Sequence, residues 1–418
     1  MSNVSSVSPP SLRPAEVIAL ISSMLLVGTS FGAVAPLVSA LLEQRGFSEY
    51  FTGGVSAMLA VAVALLSTHV GRLVERHGTQ RINFLGLVGQ ALGFAGLGVA
   101  LAFYEPALFL VRFALGVAAT MTFVGAEVAL LRGVAAHVRG RVMAAYGAAL
   151  TFGFSAGVFV SDWAYDWAGL WCFGLVAAAA LIMAPLAWWG LRGEIGQPAS
   201  QPESPGRLSP ADDMDWRSLW LGLFGALVFG ALDMAIAGTY PVEGQRLGLS
   251  RSETLHIVGF TAFGMVLTQP ICGWLADKFG ARPAMAGIGV FGVACCLAAG
   301  VMSQKGLAAG KIWATMAFVG IGVGVGGVYP VSLKILGDRT PPGKMAVANA
   351  RFSMLYGYAS LFGPMLAAFA IDAVEALGCL GWAVPGLSGV TMAMVVLLVI
   401  WDRRRERVAK KASESPAG

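Results

Sequence analysis

Long apolar runs dominate the chain, and short polar segments separate them. Each run reaches or exceeds the ~20 residues that a helix needs to cross a bilayer core. Twelve can be marked: 17–42, 50–70, 82–103, 107–131, 142–164, 169–190, 218–240, 253–275, 283–303, 311–335, 345–372 and 381–401. An even count puts both termini on one side. The longest internal polar stretch runs from Leu191 to Arg217 and is rich in Pro, Ser, Gly and acids, the composition of a flexible linker. It leaves six runs on each side. The pattern therefore predicts an all-α membrane protein with twelve transmembrane helices, six on each side of the linker. The expected parts are an N-terminus (1–16), a first half (17–190), a linker (191–217), a second half (218–401) and a basic tail (402–418), disordered from Asp402 onward.

Composition agrees. The chain is 57% hydrophobic and 12% charged, against roughly 25% charged in soluble domains. It has 55 glycines in 418 residues; small residues let membrane helices approach closely where lipid gives no hydrophobic drive. The net charge of +5 does not point to nucleic acid, because the basic residues sit in loops and at the tail. Twenty Lys and Arg fall on the side of the termini and five on the other, which predicts cytoplasmic N- and C-termini. Cys172, Cys272, Cys295, Cys296 and Cys379 form no disulfide framework or zinc spacing, so neither metal nor cofactor is expected.

Two polar segments look like one device used twice. One is Gly71-Arg-Leu-Val-Glu75-Arg76-His-Gly78-Thr-Gln-Arg81; the other is Gly273-Trp-Leu-Ala-Asp277-Lys278-Phe-Gly280-Ala-Arg282. Their first glycines lie 202 positions apart, close to half the chain. Glycine permits a tight turn between helices, the acid can cap the next helix, and the bases stay on one face of the membrane. The pattern resembles the signature loop of the major facilitator superfamily, found between spans two and three and again between spans eight and nine. That resemblance implies two pseudo-symmetric six-helix halves and secondary transport through a site between them, with these loops as conformational switches.

Ionisable groups inside spans cost at least ~2.5 kcal/mol on insertion scales, so each needs a reason. Arg112, with Gly116 one turn later, is similar to a second family signature on span four, which in proton-coupled members is linked to coupling. Glu127 lies on the same span, about 22 Å further along at 1.5 Å per residue, too far to pair with Arg112. Asp233 lies on span seven, which lines the cavity in the family. Span ten is glycine-rich before Tyr329-Pro330, and Tyr329 follows Glu127 by 202 positions, matching it in the repeat. Glycines and Pro330 weaken that helix, and Gly363-Pro364 is a second bending point on span eleven. Lys334 and Arg351 sit near the inner ends of spans ten and eleven, where they either snorkel or attract an anion. Span five lacks the Gly-Pro pair associated with drug-exporting members.

The leading expectation is a proton-coupled transporter of a small organic molecule, monomeric in a bacterial inner membrane. Drug or metabolite efflux is the alternative substrate class. A polytopic membrane enzyme or assembly factor on a similar scaffold is the alternative class. An enzyme needs reactive groups held together, and the four histidines form no motif. No phosphate-binding Gly-x-x-x-x-Gly-Lys loop is present, which disfavours ATP-driven pumping. For the cargo, Arg112, Lys334 and Tyr329 suit an anion or zwitterion, whereas Glu127 and Asp233 suit a cation.

Overall fold

The computed structural model describes residues 13–133, 136–191, 216–304, 311–340 and 345–414. They form twelve long helices: α1 Pro14–Gln44, α2 Glu49–His77, α3 Thr79–Phe103, α4 Leu108–Gly133, α5 Ala136–Ala168, α6 Trp171–Gly190, α7 Trp216–Arg246, α8 Arg251–Phe279, α9 Ala281–Gln304, α10 Lys311–Arg339, α11 Met345–Ala376 and α12 Ala383–Glu414. No strand occurs among the described residues. Eleven of the twelve are long and apolar enough over their described residues to cross a membrane; α5 is the remaining one. The linker expected at 191–217 falls almost wholly outside the described residues.

The outward faces fit lipid. Leu92, Ile182 and Leu397 are exposed in helix interiors. Trp167, Trp171, Trp189, Trp274 and Trp313 are exposed near helix ends, as in an interfacial aromatic belt. The Lys278 ammonium lies 4.8 Å from the Trp274 ring centroid, an arrangement suited to the headgroup layer.

Two compact units result. Unit 1 is Met1–Val34 with Val61–Arg207; unit 2 is Ala35–Ala60 with Leu208–Gly418. The C-terminal part of α1 and the N-terminal part of α2 thus belong with α7–α12. In unit 1 the core draws Leu20 and Met24 from α1, Leu87 from α3, Ala126 and Leu130 from α4, Tyr146 from α5 and Ala184 from α6. Glycine sets the closest approach there. A Cβ on Gly28 or Gly32 of α1 would overlap the carbonyl oxygen of Leu150 or Phe154 on α5, and one on Gly153 or Gly157 of α5 would overlap that of Leu25 or Thr29. Four glycines interlock two backbones. In unit 2, Gly230 of α7 and Gly363 of α11 do the same against Tyr356 and Ala231.

The repeated loops are shorter than the sequence suggests. Helix α2 continues through Glu75 and Arg76 to His77, and α8 through Asp277 and Lys278 to Phe279. Each turn is a single glycine, Gly78 at φ 83° and Gly280 at φ 90°, in backbone conformations that only glycine tolerates. Gly71 and Gly273 lie within helices with open space where a Cβ would stand. The expected acidic cap is also corrected. Helix α3 starts at Gly78 with no side-chain cap, and Asp277 bonds Lys334 of α10 at 3.0 Å. The Glu75 side chain lies outside the described residues.

One further expectation changes. The tail is not disordered from Asp402: α12 continues to Glu414, and Asp402 is buried. Its carboxylate receives Arg282 (2.8 Å), Arg339 (2.5 Å) and the Trp220 indole N–H (3.2 Å), tying α7, α9 and α10 to α12. Helix α10 runs from Lys311 to Arg339 with Pro330 inside it, where the missing N–H removes one ladder bond. Its glycines act as notches: a Cβ on Gly322 or Gly326 would strike the α8 backbone at Thr261 or Met265.

Candidate functional site

The site builds from α7. Asp233 stands 17 residues after the first residue of that helix and 13 before its last, so it lies about 20 Å or more from either end. Phe229 precedes it by four residues and shares its face. On α11, Phe352, Tyr356 and Ser360 repeat the same spacing. The glycine contact between Gly230 and the Tyr356 carbonyl brings the two helices together beside Asp233. The Tyr356 hydroxyl then donates to Asp233 Oδ2 at 3.2 Å, and Ser360 Oγ donates to the Tyr356 carbonyl at 2.8 Å.

Tyr329 of α10 completes the group. Its ring lies 4.9 Å from Phe229 and 5.6 Å from Phe352, edge-on to the latter. Phe229 also stacks with Tyr356 at 5.7 Å. Phe352 is buried, whereas Phe229, Asp233, Tyr329 and Tyr356 are half-buried. A carboxylate and four rings from three helices therefore converge deep in one unit. Sequence reasoning found Asp233 and Tyr329 and missed Phe229, Phe352 and Tyr356. The available signal was the aromatic residue four positions from Asp233, and the aromatic pair four apart on span eleven.

The other candidates lie elsewhere. Lys334 pairs with Asp277 and with Asp338 (3.6 Å), at the end of the unit that holds the α8–α9 turn. The Arg351 guanidinium lies over the Trp216 ring at 3.8 Å, a cation–π stack. Arg112 of unit 1 is buried, 2% exposed. The Glu127 side chain lies outside the described residues. Pro364 sits within α11, and its carbonyl lies 3.4 Å from Thr239 Oγ1 of α7. A cavity of about 320 Å³ opens at the α8–α9 turn, lined by Arg282, Asp338 and Arg339. Its charged groups already serve the ion pairs there, so it is a gap in that network.

At the opposite end of unit 2, the last residue of α7 gathers three acids. Arg246 bonds Glu43 (3.1 Å) of α1, Glu49 (2.5 Å) of α2 and Glu375 (2.7 Å) of α11. The Tyr50 hydroxyl donates to Asp372 at 2.8 Å beside them. One turn earlier, fully buried Glu243 accepts the backbone N–H groups of Ala383 (2.7 Å) and Val384 (2.9 Å), capping α12 from another helix. Sequence reasoning passed over these acids because they lie near span ends. Among the described residues no group of His, Cys, Asp and Glu is placed to hold a metal.

Known proteins give the architecture its context. The family model of the Major Facilitator Superfamily matches twice, at residues 20–223 and 221–417. The chain is 24% identical over 386 residues to the uncharacterized MFS-type transporter YfkF of Bacillus subtilis, covering 90% of this chain and 94% of that one. It is 26% identical over 355 residues to the uncharacterized MFS-type transporter YcaD of Escherichia coli, covering 84% and 88%. Among solved structures, a mutant of the nucleoside transporter NupG superposes with TM-score 0.71 at 13% identity, over 93% of this chain and 99% of that one. A bacterial homolog of the human lysosomal transporter Spinster, inward-facing and occupied, gives 0.69 at 15% identity, over 96% and 98%. Nearly the whole chain is covered, once per half: it is a multi-span membrane transporter and belongs to the major facilitator superfamily.

Proposed function

We propose that the chain is a proton-coupled secondary transporter of a small organic solute. It works by alternating access in the inner membrane of a bacterium, with both termini in the cytoplasm. The observation that carries this reading is Asp233, a carboxylate held about 20 Å or more from either end of its helix with a phenol hydroxyl as its partner. A membrane-embedded acid in that setting gains or loses a proton according to which aqueous phase reaches it. Arg112 and Glu127 are the matching candidates in the first half; Lys334 and Arg351 are given to contacts that hold helix ends. The repeated turns at Gly78 and Gly280 are the pivots, because a one-residue connection transmits helix motion without slack. Helix bending at Pro330 and Gly363-Pro364 accommodates that motion.

Accessibility tests the cycle. In a background with Cys172, Cys272, Cys295, Cys296 and Cys379 replaced by alanine, Tyr329→Cys is labelled in oriented vesicles with a membrane-impermeant thiol reagent. The reading predicts labelling from either face, with the balance between faces moved by an imposed pH gradient. Labelling from one face alone, whatever the gradient, contradicts it.

A further inference from the structure

The charge and ring geometry around Asp233 specify a cargo class. We infer that this face of unit 2 binds a monovalent organic cation with an apolar or aromatic body; the inference rests on the transport reading above.

Charge is the first argument. Among the described residues of unit 2, the other charged side chains lie within seven residues of a helix end, in a connection, or on α12 from Asp402 onward, where Asp402 is already paired with Arg282 and Arg339; Asp233 is the mid-helix charge of α7 and has no basic partner among them. The basic residues nearby have partners of their own. Lys334 is held by Asp277 and Asp338, Arg351 by Trp216, Arg246 by three glutamates, and Arg282 with Arg339 by Asp402. None of these groups brings positive charge to Asp233. An anionic cargo would meet like charge with no counter-ion in the cluster, at low effective dielectric. A cationic cargo supplies the missing charge.

The rings are the second argument. Aromatic faces carry negative quadrupole potential, and a cation within about 6 Å of a ring centroid is attracted by ~0.5–2 kcal/mol per favourable contact. Phe229, Tyr329 and Tyr356 are half-buried and within 6 Å of one another in the Phe229–Tyr329 and Phe229–Tyr356 pairs. Leu223, Leu333 and Leu355, partly buried in the same cluster, give an apolar rim. Rings set beside a lone carboxylate suit a charge carried on a greasy body better than a small hydrated ion, which would keep its water. The Tyr356 hydroxyl fixes one carboxylate oxygen and leaves the other for the ligand.

Two probes of one shape and opposite sign make the test: tetraphenylphosphonium and tetraphenylborate. Binding of tritiated tetraphenylphosphonium is measured on the detergent-solubilised full chain by scintillation proximity. The expected result is saturable binding that tetraphenylborate does not displace. Asp233→Asn weakens it at least tenfold. Phe229→Leu and Tyr329→Leu, which keep bulk but lose the ring face, each weaken it about three- to tenfold with thermal stability close to the parent. No saturable binding, displacement by the borate, or unchanged affinity in Asp233→Asn overturns the inference. The thiol-labelling experiment needs no ligand, so two-sided labelling with failed phosphonium binding removes the cargo class and leaves the transport reading standing.

Discussion

Replacing Arg246 by alanine should destabilise the protein by about 2–4 kcal/mol, below the upper range for a fully buried ion pair because the guanidinium is 21% exposed. The arginine is the shared partner of Glu43, Glu49 and Glu375, so its removal leaves three carboxylates close together with no cation between them. The loss is mainly this repulsion and desolvation, more than the hydrogen bonds themselves. It also removes one of the ties that join residues 35–60 of α1 and α2 to α7 and α11 at that end, leaving Tyr50 to Asp372 and Gln245 to the Ala40 carbonyl at 3.1 Å. Thermal unfolding of purified Arg246→Ala checks the size. Adding Glu43→Gln and Glu49→Gln should recover about half of the loss. If the triple variant is less stable than Arg246→Ala, charge balance is not what holds this end.

Gly32→Val should give little or no folded protein. A Cβ at that position would overlap the Phe154 carbonyl oxygen, and backbone cannot rotate away as a side chain can. Overpacking in a tight core costs ~1–3 kcal/mol, and here α1 and α5 would have to separate along the four-glycine seam, which raises the penalty above that range. Gly157→Val, striking the Thr29 carbonyl from the other side, should fail alike. Gly71→Ala is the contrast: the site is open and helical, so alanine should raise stability by about 0.5–1 kcal/mol. Fluorescence-detected size exclusion of the three variants reads the difference. A monodisperse Gly32→Val protein with parental thermal stability would show that the seam is looser than drawn here.

Periodic and local features were legible in the sequence. Twelve apolar runs became twelve long helices, and the doubled Gly-acid-base segment located both single-glycine turns. Helix extent was less legible, because polar residues such as Glu75, Arg76 and Arg403 continue helices beyond the apolar window. The site was half legible. Asp233 announces itself by its cost in lipid. Its partner Tyr356 lies 123 positions away, and nothing local to either residue names the other. Glu243 and Ala383, 140 positions apart, are a similar case. Asp402 read as the first residue of a charged tail, because the arginines that bury it come from α9 and α10. Pairing across helices is decided by which small residues let backbones meet, and Gly230 and Gly363 look in sequence like any others.

Proton movement is the most direct test of the claim that transport turns on Asp233. Purified protein is reconstituted in vesicles with a pH-sensitive dye inside, and the external concentration of the bound cation is stepped at constant membrane potential. The account predicts a luminal pH change with the parent protein and none with Asp233→Asn. An equal pH change in Asp233→Asn would contradict it.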